Sequence, residues 1–174
     1  MDGSHGGMVP AACFRDVLSA WPTGVAVVTA VGVLGRRHGC TVTSVTGVTL
    51  EPPTLLVCLD ERSGTLAAVR RGQFAVNFLH ARAQAVAELF ASPRTLDRFA
   101  QVPWTPTPRT GQPWLYEAAL AVVECQVTAC STVGDHAVVL GEVLHVEQQG
   151  VDVPLLYGLR QFAAWPAALD GAPL

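Results

Sequence analysis

The chain has 174 residues, a formal net charge of −3 and only 14% charged residues, against roughly 25% in an ordinary soluble domain. All 11 basic side chains are arginine, which excludes a Walker phosphate loop, a Schiff-base lysine and a lysine-rich nucleic-acid arm. The acidic balance also speaks against nucleic acid as a partner, because phosphate backbones are held by clustered positive charge.

Residues 1–10, MDGSHGGMVP, lack a basic start followed by an apolar stretch, so they read as a tail and not as a signal peptide. No run approaches the ~18 consecutive apolar residues of a membrane span. Residues 12–20 place Phe14, Val17 and Leu18 on one face of a short helix, which Pro22 ends. Residues 25–30, VAVVTA, read as a buried strand. Glycines 32, 35 and 39 bracket a turn carrying Arg36, Arg37 and His38. A nucleotide 2′-phosphate would suit that arginine pair, but two arginines in an exposed turn are ordinarily solvated. Residues 40–50 alternate as one strand whose parity breaks near Ser44, which predicts a bulge or bend. Residues 54–59 form another buried strand after Pro52-Pro53.

Ser63 caps a short helix that Gly72 stops. Residues 74–79 are a strand and 83–91 a helix. Ser92-Pro93 predicts the start of a further helix running to about residue 100. Residues 101–113, with four prolines, read as a loop. Long strands at 118–129 and 137–148 follow, then a short strand at 154–157 and a tail from 162. Strands come in groups rather than alternating with helices. The expected fold is therefore mainly β, an antiparallel barrel with peripheral helices. One domain spans residues 11–163, with a second tail at 164–174.

Five cysteines at 13, 40, 58, 125 and 130 form no CxxC pair and read as buried free thiols of a reducing cytoplasm. No GxGxxG follows a strand, and no GxSxG elbow is present. Asp135, His136, Glu142 and His145 are the best metal-ligand candidates. On a regular strand 136 and 142 share a face while 145 points away, so no metal site is expected. Residues 39–53 carry Thr41, Thr43, Ser44, Thr46 and Thr49. Such a row is either a polar strand face or a set of small donors along a ligand. Residues 59–65, LDERSGT, put Arg62 beside a serine-capped helix start. That place either only caps the helix or suits a phosphate.

These segments resemble the flavin reductase family, the short reductase components of two-component flavin monooxygenases. The resemblance runs from residue 14 to 162. It is carried by PTGVAVVTA (22–30), HGCTVTSVTGVTLEPPTLLVCLD (38–60), RSGT (62–65), FAVNFL (74–79), Arg98-Phe99, GDH (134–136) and PLLYG (154–158). Gly47 departs from the hydroxyl residue common there. The resemblance implies an antiparallel Greek-key split β-barrel, a homodimer, and flavin near the subunit interface. It implies that Thr43, Ser44, Val45 and Thr46 hold the isoalloxazine edge. Asp60, Arg62, Ser63 and Thr65 would lie near the ribityl chain and phosphate. Asn77, Arg98 and Phe99 would border the flavin or its adenylate. His136, beside Asp135, would meet the nicotinamide, with Tyr157 close by.

The implied reaction is hydride transfer from NADH or NADPH to FMN or FAD, for a separate oxygenase. Two other readings are a flavoprotein with tightly bound flavin acting directly on a small substrate, and a flavin-binding protein that is no enzyme. The low charge count fits a surface partly hidden by a second subunit.

Overall fold

The computed structural model describes residues 9–93, 97–150 and 152–165. The tails expected at 1–10 and 164–174 lie mostly outside them. Helix α1 (Ala11–Ala20) comes first. Strands β1 (Thr23–Gly24), β2 (Ala26–Val31), β3 (Arg37–Val42), β4 (Thr46–Leu50) and β5 (Pro53–Asp60) follow. Next come α2 (Gly64–Val69), β6 (Gln73–Leu79), α3 (Gln84–Ala91) and the two-residue strands β7 (Thr105–Pro106) and β8 (Pro113–Trp114). The long strands β9 (Ala119–Val133) and β10 (His136–Gln148) form a hairpin, and β11 (Leu155–Gly158) and β12 (Gln161–Ala164) close the chain.

Seven strands make one antiparallel sheet in the order β3-β2-β6-β9-β10-β5-β4. Strands β3 and β4 are its two edges, yet only residues 43–45 separate them in sequence. A flat seven-stranded sheet would be about 29 Å wide, whereas the four Cα steps from 42 to 46 reach at most about 15 Å. The sheet therefore curls until its edges approach. Ser44 fastens the seam: its Oγ donates to the Cys58 carbonyl and accepts from the Cys58 N–H, both at 3.1 Å. The expected bulged strand over 40–50 is thus two strands. The Ser44 hydroxyl takes the place of a ladder bond at the crossing.

Alternation along β2 explains the core. Val28 faces the inside of the curl with Val57, Phe74, Val76 and Val139, capped by Leu66 and Val69 of α2. Val27 faces outward against Leu79, Leu115 and Phe90 of α3. Both faces of β2 are buried, as its run of apolar residues, interrupted only by Thr29, requires. Gly141 lies over Phe74, and a Cβ there would meet the Phe74 ring at 2.6 Å.

Three further differences from the sequence reading have local causes. Ser92 ends α3 rather than opening a helix. Residues 94–96 lie outside the described residues, and 98–100 form a single 3-10 turn after a left-handed Asp97. The loop at 101–113 contains the β7–β8 ladder. It is pinned by Glu124 of β9, a fully buried carboxylate. Helix α1 buries none of its residues, so Phe14, Val17 and Leu18 lie uncovered in this chain. The cysteines are all free, but only Cys125 is fully buried, and Cys13 and Cys130 are exposed.

Candidate functional site

A cleft of about 850 Å³ lies between β3, the start of α2 and the end of α3. Asp60, Arg62, Ser63, Thr65, Arg98 and Phe99, all expected at the site, line it. Strand β5 delivers Asp60 at its last position. The carboxylate then grips the next turn: it accepts from Arg62 N–H at 2.7 Å, Arg62 Nε at 3.2 Å and Arg62 Nη2 at 2.9 Å. The Arg62 contacts hold the Asp60 pKa down to about 2. Asp60 is therefore ionised wherever the protein works, and Arg62 keeps its fork to it.

Ser63 caps α2 as its position requires, accepting from Thr65 N–H at 3.0 Å and Leu66 N–H at 3.4 Å. Those two donors are therefore satisfied within the chain. The cationic groups left for an anion are the arginines of the cleft. Cys40 also lines the cleft, and burial pushes its thiol pKa up despite hydrogen bonds from Thr65 and Ser63. That thiol is held as the neutral, unreactive form.

Arg98 anchors the rim. Its Nη1 donates to the Gly39 carbonyl at 3.0 Å and its Nη2 to the Ser92 carbonyl, while its buried Nε has no partner among the described residues. Phe99 packs edge-on against Phe90 at 5.2 Å and against Trp104 at 6.2 Å. Phe90 and Phe99 form one wall of the cleft, with Trp104 packed against Phe99.

His136 starts β10 opposite Asp60 in the ladder. Its Nδ1 bonds the Asp135 carboxylate at 2.7 Å. The His136 contact lowers the Asp135 pKa. With Nδ1 engaged, Nε2 is the ring nitrogen that can meet a ligand. Arg62, Asp60, His136 and Asp135 thus form one run of charge at the end of β5 and the tip of the β9–β10 hairpin.

The remaining expected residues divide. Thr43, Ser44, Val45 and Thr46 line a neighbouring cavity of about 480 Å³ with Trp21 and Cys58. The Ser44–Cys58 bonds place that segment two residues along β5 from Asp60. Tyr157 lines a third cavity of about 440 Å³ with Thr43 and Phe162, away from the His136 turn. Asn77 lies in none of them. It is fully buried, donating to Thr29 Oγ1 at 3.1 Å and the Val27 carbonyl at 3.2 Å, and accepting from Leu115 N–H at 2.8 Å. Its amide is spent tying β2, β6 and the segment after β8 together. The metal candidates separate too: His145 pairs with Glu147 along β10, and among the described residues no cluster of three ligands forms.

Arg36, Arg37 and His38, in the turn that reads from sequence as ordinarily solvated, line the cleft, and Trp104, packed against Phe99, is a residue that the sequence did not mark. Arg37 lies 4.5 Å from the centre of the Trp104 ring. The only signal was the glycine-bracketed arginine pair, which reads the same in a solvated turn.

The cleft's donor set fits a phosphate-bearing, planar ligand. Four arginines and two aspartates line it, in a chain whose net charge is −3. An aromatic wall and the unpartnered Arg98 Nε complete the match. Such a curled antiparallel sheet with an arginine-lined cleft suits a phosphate-bearing ligand, and similar proteins give the class. Residues 18–166 match the flavin reductase like domain, and the chain belongs to that family. It is 54% identical over 163 residues to a flavin reductase (NADPH) of Lentzea aerocolonigenes, covering 94% of this chain and 93% of that protein. Its fold superposes on an NADH:FAD oxidoreductase of Streptomyces globisporus C-1027, solved with NAD and FAD fragments. The TM-score is 0.84 at 29% identity, over 92% of this chain and 96% of that one. The flavin reductase component of a bacterial two-component tryptophan halogenase superposes at a TM-score of 0.81 with 34% identity, over 90% and 98% of the two chains.

Proposed function

We propose that this protein is an NAD(P)H:flavin oxidoreductase that passes a hydride from reduced nicotinamide to FMN or FAD and supplies the reduced flavin to a separate oxygenase. The observation that carries it is the arginine-lined cleft of a flavin-reductase-like sheet. Reduced nicotinamide and flavin supply the redox chemistry between them. The chain's own task is to bind, orient and place charge.

In this reading Arg62, held by Asp60, meets the ribityl phosphate at the Ser63–Thr65 turn. Thr43, Ser44, Val45 and Thr46 meet the ring edge. The Ser44 tie to Cys58 supports this, because it sets both segments on the same end of β5. His136 positions the nicotinamide through Nε2 while Asp135 fixes the ring. Replacing His136 by alanine is expected to lower kcat/KM for the nicotinamide by roughly 10- to 100-fold. Unchanged kcat and KM would remove His136 from the mechanism.

The protein acts as a homodimer in the cytoplasm. The uncovered α1 residues Phe14, Val17 and Leu18 and the Trp21 that follows the helix, 54–72% exposed, support a second copy of the chain as their cover. Five free thiols, two of them exposed, suit a reducing compartment.

The decisive experiment mixes the protein with NADH or NADPH and excess flavin under nitrogen. Bleaching of the flavin absorbance, catalytic in protein, is expected. Flavin that stays oxidised with both donors would overturn the reductase reading. Flavin that remains bound through gel filtration and is reduced only stoichiometrically would favour a prosthetic group instead.

A further inference from the structure

The large cleft holds more positive charge than one phosphate requires. Of its four arginines, Arg62 is forked onto Asp60 and Arg98 is committed to the Gly39 and Ser92 carbonyls. Arg36 and Arg37 are exposed, and neither is ion-paired among the described residues.

The turn that carries them is well fixed. Gly32 N–H donates to the Arg36 carbonyl at 2.7 Å, and Arg36 N–H donates to the Val33 carbonyl at 3.1 Å. Arg37 is laid over Trp104, which favours one position of its guanidinium before any ligand arrives. His38 is wedged between two glycines. A Cβ on Gly32 would lie 2.9 Å from its ring, and one on Gly64 would lie 3.0 Å away. Gly64 opens α2 directly after Ser63. A single imidazole therefore spaces the arginine turn from the Arg62–Thr65 turn. Burial and the Arg36 charge lower the His38 pKa, so this spacer is neutral near pH 7.

We infer that Arg36 and Arg37 form a second phosphate-reading subsite, which takes a phosphate on the adenosine half of a dinucleotide. Paired guanidinium groups read phosphate oxygens through forked hydrogen bonds, and both of these exposed arginines line the cleft. The inference rests on the nucleotide reading above and deepens it. Two ligands carry that chemistry: the diphosphate of FAD, absent from FMN, and the 2′-phosphate of NADPH, absent from NADH.

The test uses the full-length protein, the double variant R36A/R37A and the conservative R36K/R37K. Dissociation constants for FMN and FAD are measured by fluorescence titration, and KM values for NADH and NADPH with one flavin. Circular dichroism melts check that the exposed substitutions leave the fold intact. In the alanine variant, one ratio is expected to rise about tenfold, either FAD over FMN or NADPH over NADH. The lysine variant should recover part of it. A rise in the flavin ratio assigns the subsite to the diphosphate, and a rise in the nicotinamide ratio assigns it to the 2′-phosphate. Both ratios unchanged would overturn the subsite while leaving the reductase reading intact. Loss of that reading shows separately, as wild-type protein that fails to bleach flavin.

Discussion

Replacing Glu124 by alanine is expected to destabilise the protein by roughly 3 kcal/mol, because buried N–H donors lose a charged acceptor. Glu124 has no exposed surface. Its carboxylate accepts from Thr110 N–H at 2.6 Å, Thr110 Oγ1 at 2.5 Å and Arg109 N–H at 3.2 Å. Burial alone would push its pKa up. The hydrogen bonds from Thr110, Thr107 and the Arg109 backbone outweigh burial and hold it below the ordinary value. A depressed folded pKa means the contribution is present above the unfolded pKa of about 4.3. It is lost as pH falls through the lower folded value. Thermal melts of Glu124→Ala at neutral pH should show a fall of roughly 10 °C. Glu124→Gln, which keeps one acceptor oxygen, should lose less and should lack the acid limb. An unchanged melting temperature in the alanine variant would show that the 105–114 loop does not depend on this carboxylate. The effect should reach the cleft, because Trp104 enters that loop and carries Arg37.

Such couplings mark the limit of what the sequence discloses. Local chemistry was readable. Ser63 caps α2, β2 is a buried strand, and two long strands pair as the β9–β10 hairpin, although β9 runs to Val133 where the sequence reading ended it at 129. Each depends on residues within a few positions of one another. The break at Ser44 was visible as lost parity, but its meaning depends on Cys58, which only the curl brings near. The same holds for Ser92. Its Ser-Pro pair matches a helix start, yet the Arg98 guanidinium, bonded to both the Ser92 and Gly39 carbonyls, ties the segment back across the end of α3. Asn77, which the resemblance sets beside the flavin or its adenylate, has partners invisible in sequence: Thr29 and Leu115 come from distant segments and engage its amide. Half of the cleft was legible because its turn residues are contiguous. The Arg37–Trp104 half is assembled from positions 67 residues apart in the chain, and no spacing rule connects them.

Gly39→Val joins stability to ligand binding at the floor of the cleft. A Cβ at Gly39 would stand 2.7 Å from Phe90 Cε1 and 3.3 Å from Phe99 Cζ. Phe90 is 1% exposed and locked among the outer-core residues, so it cannot swing into solvent. The branched side chain should therefore displace the Phe90–Phe99 pair or push β3 outward. Overpacking of this kind costs about 1–3 kcal/mol. The Gly39 carbonyl is also one of the two that Arg98 holds, so displacement of β3 should loosen the rim. Flavin dissociation constants are expected to rise about tenfold for each ~1.4 kcal/mol of this deformation felt at the site. A double-mutant cycle with Phe90→Leu separates this account from a general loss of strand propensity. The smaller side chain should relieve the clash, giving a favourable coupling of roughly 0.5–3 kcal/mol in stability and recovery of flavin affinity. Strictly additive losses would mean that the valine acts through β3 itself, and that Gly39 is not selected by its contact with the aromatic wall.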